Sequence, residues 1–296
     1  MMVSMNRLPI GKRTQIVGMF AEGTSLRTAS RLVDVSINTV SKLLVDAGDA
    51  CWSYQHEIMR GLTCKRIQVD EIWSFVYAMQ KNVPTEKQGQ FGTGDVWTWV
   101  AIDADTKLVP CWLIGDRSAD SATVLMRDLA SRLKYRVQLT TDGHQAYLTA
   151  VEQAFGSDID FSQLVKLYGS SPEPDTKYSP GECIGCKQER NMGNPDPKHV
   201  STSFVERQNL TMRMRMSMRR FTRLTNAFSK KIENHAAAVA IHFMHYNFGR
   251  INKSLRVTPA MAAGMSDHVW SMEEIAELVP EPRIGIRGPY KKRNSN

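Results

Sequence analysis

The sequence predicts an α/β protein in which a mixed sheet is flanked by helices and preceded by a small all-α domain. Two patterns carry this prediction. The first sixty residues show only helical periodicity, and the residues from Arg66 onward alternate between strand-like and helix-like segments. The length of 296 residues suffices for about two domains. No apolar run approaches the roughly 18 residues that a membrane span needs, so we expect no membrane helix.

Two helices joined by a short turn are predicted near the N-terminus. Ser25 and Ser36 stand where N-caps are expected, and Asp34 lies at the turn, where it tolerates a left-handed backbone better than most residues. This arrangement predicts a helix-turn-helix within a domain of residues 1–60. The second helix would enter the major groove of DNA. Its exposed polar residues near the DNA would be Ser36, Asn38, Thr39, Ser41 and Lys42. The alternative is an ordinary three-helix bundle without DNA contacts.

The middle of the chain predicts a five-stranded mixed sheet. The segment RIQVDEIWSFVYAM, which begins at Arg66, is rich in β-branched and aromatic residues and predicts the first strand. A strand hairpin, a helix capped by Ser118, a strand ending at Asp142, a helix over 144–155 and the strand FSQLVKLYG follow in chain order. This order is that of the ribonuclease-H-like fold.

Three acidic residues stand out because of their positions in these elements. Asp70 lies inside the first strand, Asp142 ends the fourth strand, and Glu206 opens a later helix. Carboxylates that converge from separate elements can hold two Mg²⁺ ions, which prefer oxygen ligands. Each residue also has a simpler interpretation: Asp142 could be a turn former, and Glu206 could form a capping box with Ser203. Glu71 should point to the opposite face of the strand, because strand side chains alternate.

The excess positive charge is concentrated beside Glu206. The whole chain has a net charge of +8, and residues 206–231 alone carry eight basic side chains and one acidic one. Asn209 and Arg213 share a helical face with Glu206. A polyanionic partner fits this charge, and contacts to a phosphate backbone would come from Asn209, Arg213, Arg215, Arg219 and Arg220. The simpler interpretation of this arginine run is a solvated helix face.

Three segments together resemble a known family. They are VDEIWSFV around Asp70, TDGHQAY around Asp142, and FVERQNLTMRMRMSMRRFTRLTNAFSK around Glu206. The chain resembles a DDE transposase of a bacterial insertion sequence, most closely the insertion-sequence-one family. The resemblance implies a ribonuclease-H-like catalytic domain, a metal-binding triad of Asp70, Asp142 and Glu206, and Arg213 as the accompanying basic residue. Members of the family can carry an N-terminal zinc finger, whereas residues 1–60 contain only Cys51.

The resemblance and the residue patterns lead to a set of functional expectations. We expect a catalytic domain over 61–260, followed by a C-terminal extension, 261–296, with a basic tail. The activity would be cleavage at insertion-sequence ends and transfer of the 3′-hydroxyl into target DNA, supported by two Mg²⁺ or Mn²⁺ ions. Cys183 and Cys186 are expected in a loop as ordinary thiols, without zinc.

The expected partner is double-stranded DNA, as terminal inverted repeats and as target DNA. Two ends must be processed together, so we expect a homodimer or higher oligomer. The location would be cytoplasmic, at the bacterial nucleoid when the protein is bound to DNA. Two other functions remain open. One is a helix-turn-helix DNA-binding regulator with an inert ribonuclease-H-like scaffold, and the other is a ribonuclease-H-like nuclease or resolvase.

Overall fold

The computed structural model describes residues 8–169, 183–214 and 229–280. Nine α-helices and six strands lie in these ranges. The helices are α1 (Ile10–Ala21), α2 (Leu26–Val33), α3 (Ile37–Ile58), α4 (Ala119–Arg132), α5 (Ala146–Phe155), α6 (Ser203–Met214), α7 (Ile232–Met244), α8 (Pro259–Ala262) and α9 (Met272–Glu277). The strands are β1 (Arg66–Val76), β2 (Gly94–Asp103), β3 (Cys111–Gly115), β4 (Gln138–Asp142), β5 (Asp160–Tyr168) and β6 (Cys183–Met192). Within the described residues, no helix is both long enough and apolar enough to cross a membrane.

The strands form one mixed sheet in the order β3-β2-β1-β4-β5-β6. The β1–β4 and β4–β5 pairs are parallel, and the other three pairs are antiparallel. The predicted α/β class is therefore confirmed, and this strand order fits a ribonuclease-H-like fold. The predicted strand count of five is wrong, because β6 pairs with β5 and extends the sheet. Cys183 and Cys186, expected in a loop, lie in this edge strand.

Helices cover both faces of the sheet. Side chains alternate along β1, so Gln68 and Asp70 lie on one face and Glu71 lies on the other. The first face carries α6, whose Phe204 backbone N–H donates to Gln68 at 2.8 Å. The second face carries α4 and α5, and Tyr147 of α5 packs there against Trp99 of β2. The centre of the sheet is therefore buried between two helical layers.

Helices α2 and α3 stand where the two helices joined by a short turn are predicted, and α1 precedes them. Ser25 and Ser36 accept hydrogen bonds from the backbone N–H groups of Thr28 and Thr39, so both act as N-caps. Asp34 adopts the left-handed conformation, with φ 51°, at the turn between α2 and α3. Two capped helices joined by a short turn are thus present as predicted, while the helix-turn-helix domain and its contact with DNA stay predictions.

The long helix α3 joins the N-terminal helices to the rest of the molecule. Its second half packs on α7, and Gly48 permits this close approach because a Cβ there would overlap Ala237. The buried Asn247 side chain connects three parts of the chain. Its Nδ2 donates to Gln55 Oε1 of α3 at 3.1 Å and to the backbone oxygen of Val109 at 3.0 Å, and its Oδ1 accepts from the Val109 N–H at 3.0 Å. The hydrophobic core runs continuously from α1 through α3 and α7 to the sheet.

Candidate active site

The candidate site lies where β4 ends and β1 continues. The last paired residues of these strands are Val69 and Thr141, so Asp70 and Asp142 follow side by side. Beyond Asp142 the chain turns away at Gly143, and β1 extends further to Val76. This difference in strand length opens a cleft of about 870 Å³. The cleft is lined by Asp70, Glu71, Arg117, Asp142, Gly143, His144, Gln145, Leu164, Val165, Lys166, Glu206, Asn209, Leu210 and Arg213.

Asp70 is the most enclosed of the three predicted carboxylates. Its Oδ2 accepts a hydrogen bond of 2.8 Å from Nδ2 of Asn209 on α6. Burial raises the pKa of Asp70 to about 6, with further increases from the nearby charges of Asp142 and Glu206. The hydrogen bond from Asn209 acts in the opposite direction and lowers this pKa. A cation in the cleft would stabilise the ionised form of Asp70.

Asp142 has the contacts of a turn former and also those of a carboxylate that faces the cleft. Its Oδ1 accepts a 3.0 Å hydrogen bond from the backbone N–H of His144, which is the local bond of a turn former. Its Oδ2 lies 3.9 Å from Nη2 of Arg117 and lines the cleft. The turn bond occupies only one of the two oxygens, so the residue can shape the turn and still offer an oxygen to the cleft.

Glu206 reaches the cleft from the first turn of α6. Its Oε1 lies 2.5 Å from Lys166 Nζ on β5, and the Thr202 hydroxyl donates to the same oxygen. Ser203, the partner expected for a capping box, instead lies inside the helix, and its backbone N–H donates to Ser201. The Glu206 carboxylate therefore reaches the sheet at Lys166 and at the same time binds the Thr202 hydroxyl just before its own helix.

Glu71 lines the cleft, although strand alternation places it on the face of β1 opposite to Asp70. It does lie on the opposite face of β1, but its carboxylate, with those of Asp70 and Asp142, offers oxygens that are all within 4.8 Å of one another. Glu71 thus lies on the opposite face of β1, as predicted, and its carboxylate still reaches the site. Because β4 has already ended, side chains from both faces of β1 converge around its open edge.

Cationic and aromatic side chains surround Glu71. Arg117 Nε is 3.3 Å from Glu71 Oε1, and the Arg117 guanidinium lies 4.7 Å from the centre of the Trp97 ring. His144 Nε2 lies 3.7 Å from the same carboxylate. Burial raises the pKa of Glu71 to about 8, with contributions from Asp142 and Asp70, while Arg117 lowers it. Burial and Arg117 both lower the pKa of His144.

The other predicted residues fall into three groups. Asn209 and Arg213 line the cleft with Glu206. Arg215, Arg219, Arg220 and the basic tail lie outside the described residues. At the start of α3, Ser36, Asn38, Thr39 and Lys42 are exposed and Ser41 is half-buried. Lys42 forms a 2.5 Å ion pair with Asp46, so an acidic residue shares this polar face.

The donor set of the cleft fits a hard divalent cation. Carboxylate oxygens from three residues lie close together at its base. The Oδ1 atom of Asn209, a residue only 6% exposed, is buried without a hydrogen-bond partner, although Nδ2 of the same amide binds Asp70. A buried amide oxygen without a partner is costly, and a cation is one group that would satisfy it. Asp70, Glu71 and Asp142 are therefore the residues whose oxygens are grouped to hold such an ion. Glu206, the third predicted ligand, lines the same cleft but lies outside this group.

Comparisons with known proteins give only weak similarities. No family model matches the chain, and no curated protein is significantly similar to it. A solved structure of the Mos1 mariner paired end complex with Mn is 13% identical with a TM-score of 0.20, over 52% of this chain and 58% of that chain. The Mos1 strand transfer complex is 12% identical with a TM-score of 0.24, over 81% and 79% of the two chains. Scores this low assign neither a family nor an activity.

Proposed function

We propose that this protein is a DNA transposase that cuts DNA at insertion-sequence ends and joins the freed 3′-hydroxyl to target DNA. The observation that carries the proposal is one open cleft lined by Asp70, Asp142, Glu206 and Arg213. The first three residues come from separate elements of the chain. The resemblance of the three motif segments to DDE transposases supports the same assignment.

The carboxylates would hold one or two divalent ions, Mg²⁺ or Mn²⁺. When bound, such ions activate water or a 3′-hydroxyl as the nucleophile and stabilise charge on the reacting phosphate. Asp70 and Asp142 would contribute ligands from the adjacent strands β1 and β4, and Glu206 would contribute one from α6. Asn209 orients Asp70 through its 2.8 Å hydrogen bond. No side chain of the protein has to act as a nucleophile in this chemistry.

The basic side chains would position the DNA. Arg213 lines the cleft on the same face of α6 as Glu206, about two helical turns further on. It can therefore contact a phosphate next to the reacting one. Arg215, Arg219 and Arg220 would continue these backbone contacts along the DNA. Two transposon ends must be processed together, so we propose at least a homodimer.

The start of α3 would read the sequence of the DNA ends. Ser36, Asn38, Thr39 and Lys42 are exposed there, and Ser41 is partly so. Residues 1–60 would therefore form the DNA-reading unit and residues 61–260 the catalytic unit. Because the same helix continues into the contact with α7, its exposed end would be held in a fixed orientation relative to the sheet. This continuity favours a protein that couples DNA reading to chemistry.

The direct test uses purified protein and DNA from the borders of its own reading frame, including any short inverted repeats. We expect nicking and joining that require Mg²⁺ or Mn²⁺. The Asp142→Asn variant should bind the same DNA but cut it at least about 100-fold more slowly, since a lost metal ligand costs more than a lost outer contact. Asparagine keeps the Oδ1 acceptor for the His144 N–H, so the turn should survive.

Other results would support the alternative functions. Specific binding without any metal-dependent cutting by the wild type would favour a regulator with an inert scaffold. Faster cutting of a four-way DNA junction than of the border duplex would favour a resolvase. Unchanged cutting by Asp142→Asn would contradict the assignment of the carboxylates.

A further inference from the structure

Lys166 is a cleft residue that forms an ion pair with Glu206, one of the predicted metal ligands. It lies on β5, on the same face of the sheet as Asp70, and its Nζ atom is 2.5 Å from Glu206 Oε1. The two side chains are 31% and 39% exposed, so both are accessible from the cleft. The ion pair thus joins the strand side of the site to the first turn of α6.

The contacts of Glu206 put this lysine in competition with a metal ion. The Oε1 atom of Glu206 already accepts from Lys166 and from the Thr202 hydroxyl. A divalent cation bound through the same carboxylate would need lone pairs that these donors occupy, and its charge would repel the ammonium group. An ion at Oε1 would displace Lys166 directly, and an ion at Oε2 would weaken the ion pair through charge repulsion, so metal binding at Glu206 favours release of Lys166. Its long, flexible side chain permits this movement.

We propose that Lys166 is a positioning residue that neutralises Glu206 until a divalent ion takes its place, and that the released ammonium group then contacts a DNA phosphate. The inference rests on the proposed function, because it requires that Glu206 bind a metal ion. It adds a coupling: metal binding makes one more cation available to DNA. By thermodynamic reciprocity, DNA then strengthens metal binding.

The first experiment measures Mn²⁺ binding to the full chain without DNA, with free Mn²⁺ followed by electron paramagnetic resonance. Lys166→Met should bind Mn²⁺ about two- to fivefold more tightly than the wild type, the upper part of the range expected for removal of a partly exposed ion pair. Lys166→Arg keeps the charge and should stay near the wild type. Lys187→Met is the matched control, since it removes one exposed lysine of the neighbouring strand that pairs with Glu189.

A double-mutant cycle separates competition from a general charge effect. In a Glu206→Gln background, Lys166→Met should change Mn²⁺ affinity by less than twofold, because there is no carboxylate left to release. An equal increase in both backgrounds would overturn the inference, as would an unchanged affinity of Lys166→Met in the Glu206-containing chain. A wild type that binds no Mn²⁺ would overturn the proposed function itself.

The second experiment tests the contact with DNA. Binding to a mixed-sequence duplex is measured at several salt concentrations, with Mn²⁺ and with EDTA. Each phosphate contact adds about 0.9 to the slope of log affinity against log salt. With Mn²⁺, the wild-type slope should exceed that of Lys166→Met by about this amount, and with EDTA the two slopes should agree. Equal slopes in Mn²⁺ would overturn the proposed phosphate contact.

Discussion

Two adjacent carboxylates on opposite faces of β1 are both enclosed, but they have different hydrogen-bond and charge partners. Asp70 and Glu71 are both enclosed carboxylates at the open edge of the strand. On the α6 face, Asp70 is bound by a neutral amide, that of Asn209. On the α4 and α5 face, Glu71 is met by the guanidinium of Arg117, with His144 close by. One carboxylate thus has a cationic partner within the protein, and the other has a neutral hydrogen-bond donor.

This difference indicates which carboxylate binds the ion directly and which one positions neighbouring side chains. An enclosed charge needs a counter-charge, and Asp70 can gain one from a divalent ion in the cleft. Glu71 already has Arg117, which it holds in place over the Trp97 ring beside Asp142. We therefore expect Asp70 to be a direct ligand. Glu71 should act mainly by fixing the arginine. Because burial raises its pKa to about 8, it adds negative charge near the site once a bound ion favours its ionised form.

The substitutions that should weaken Mn²⁺ binding most test this division between Asp70 and Glu71 directly. Asp70→Asn should weaken Mn²⁺ binding by more than about 100-fold, whereas Glu71→Gln should weaken it by about tenfold, as is typical of a residue outside the ligand shell. Free Mn²⁺ can be followed by electron paramagnetic resonance. Asp158→Asn removes an exposed carboxylate outside the cleft and is the control. Equal losses from Asp70→Asn and Glu71→Gln would make Glu71 a ligand and end the distinction between the faces.

A second prediction concerns the stability of the metal-free protein. The pKa of Glu71 rises from 4.5 to about 8 on folding, so the folded state binds its proton more tightly than the unfolded chain does. The contribution of Glu71 to stability therefore falls as pH rises from 4.5 towards 8. Glu71→Gln removes this loss, and it should raise the free energy of unfolding by about 2–3 kcal/mol at pH 7 and by almost nothing at pH 4.

Urea unfolding in EDTA at the two pH values measures this difference. Glu152→Gln, at an exposed glutamate of α5, should show no comparable pH-dependent gain. Saturating Mn²⁺ should reduce the advantage of Glu71→Gln, because a nearby cation favours the ionised form of Glu71. A variant that is less stable than the wild type at pH 7 would mean that the ion pair with Arg117 outweighs the cost of burying the charge.

The sequence alone predicts the parts of the site that depend on local pattern. The first strand, the strand ending at Asp142 and the helix that carries Glu206 stand where hydrophobic pattern and turn residues predict them. β6 escapes prediction because its residues, CIGCKQERNM, are mostly polar and exposed, and an edge strand needs no apolar face on solvent. Pairing with β5 defines it, and that partner is distant in sequence.

Glu71 and Lys166 were missed for a different reason. Strand alternation places Glu71 on the far face correctly, but it does not reveal that β4 stops one residue beyond the Val69 pairing, which lets both faces reach the same edge. In the sequence, Lys166 has no feature that distinguishes it from any other polar residue of a strand. Its role depends on the packing of α6 over β5, a contact between elements separated by about forty residues. Two neighbouring acidic residues in one strand are nevertheless a pattern that could have directed attention to both faces.

The smallest expected effect concerns the neutral partner of Asp70. Asn209→Ala removes the hydrogen bond that lowers the pKa of Asp70, so this pKa should rise further above its ordinary value. Protons then compete better with Mn²⁺ for the carboxylate. The loss of Mn²⁺ affinity relative to the wild type should be about three- to tenfold at pH 6 and less than about twofold at pH 8, where Asp70 is ionised in both proteins.

Comparison with the wild type at each pH removes the pH effect of Glu71 that the two proteins share, since burial raises the pKa of Glu71 in both. Asn82→Ala, at an exposed asparagine far along the chain from α6, should leave the affinity unchanged at both pH values. An equal loss at pH 6 and pH 8 would contradict a role through Asp70. It would mean that the buried Oδ1 of Asn209 binds the ion itself, because a lost amide ligand weakens binding without regard to protons. The α6 face would then supply a neutral ligand beside the carboxylate, and its contrast with the Glu71 face would be sharper still.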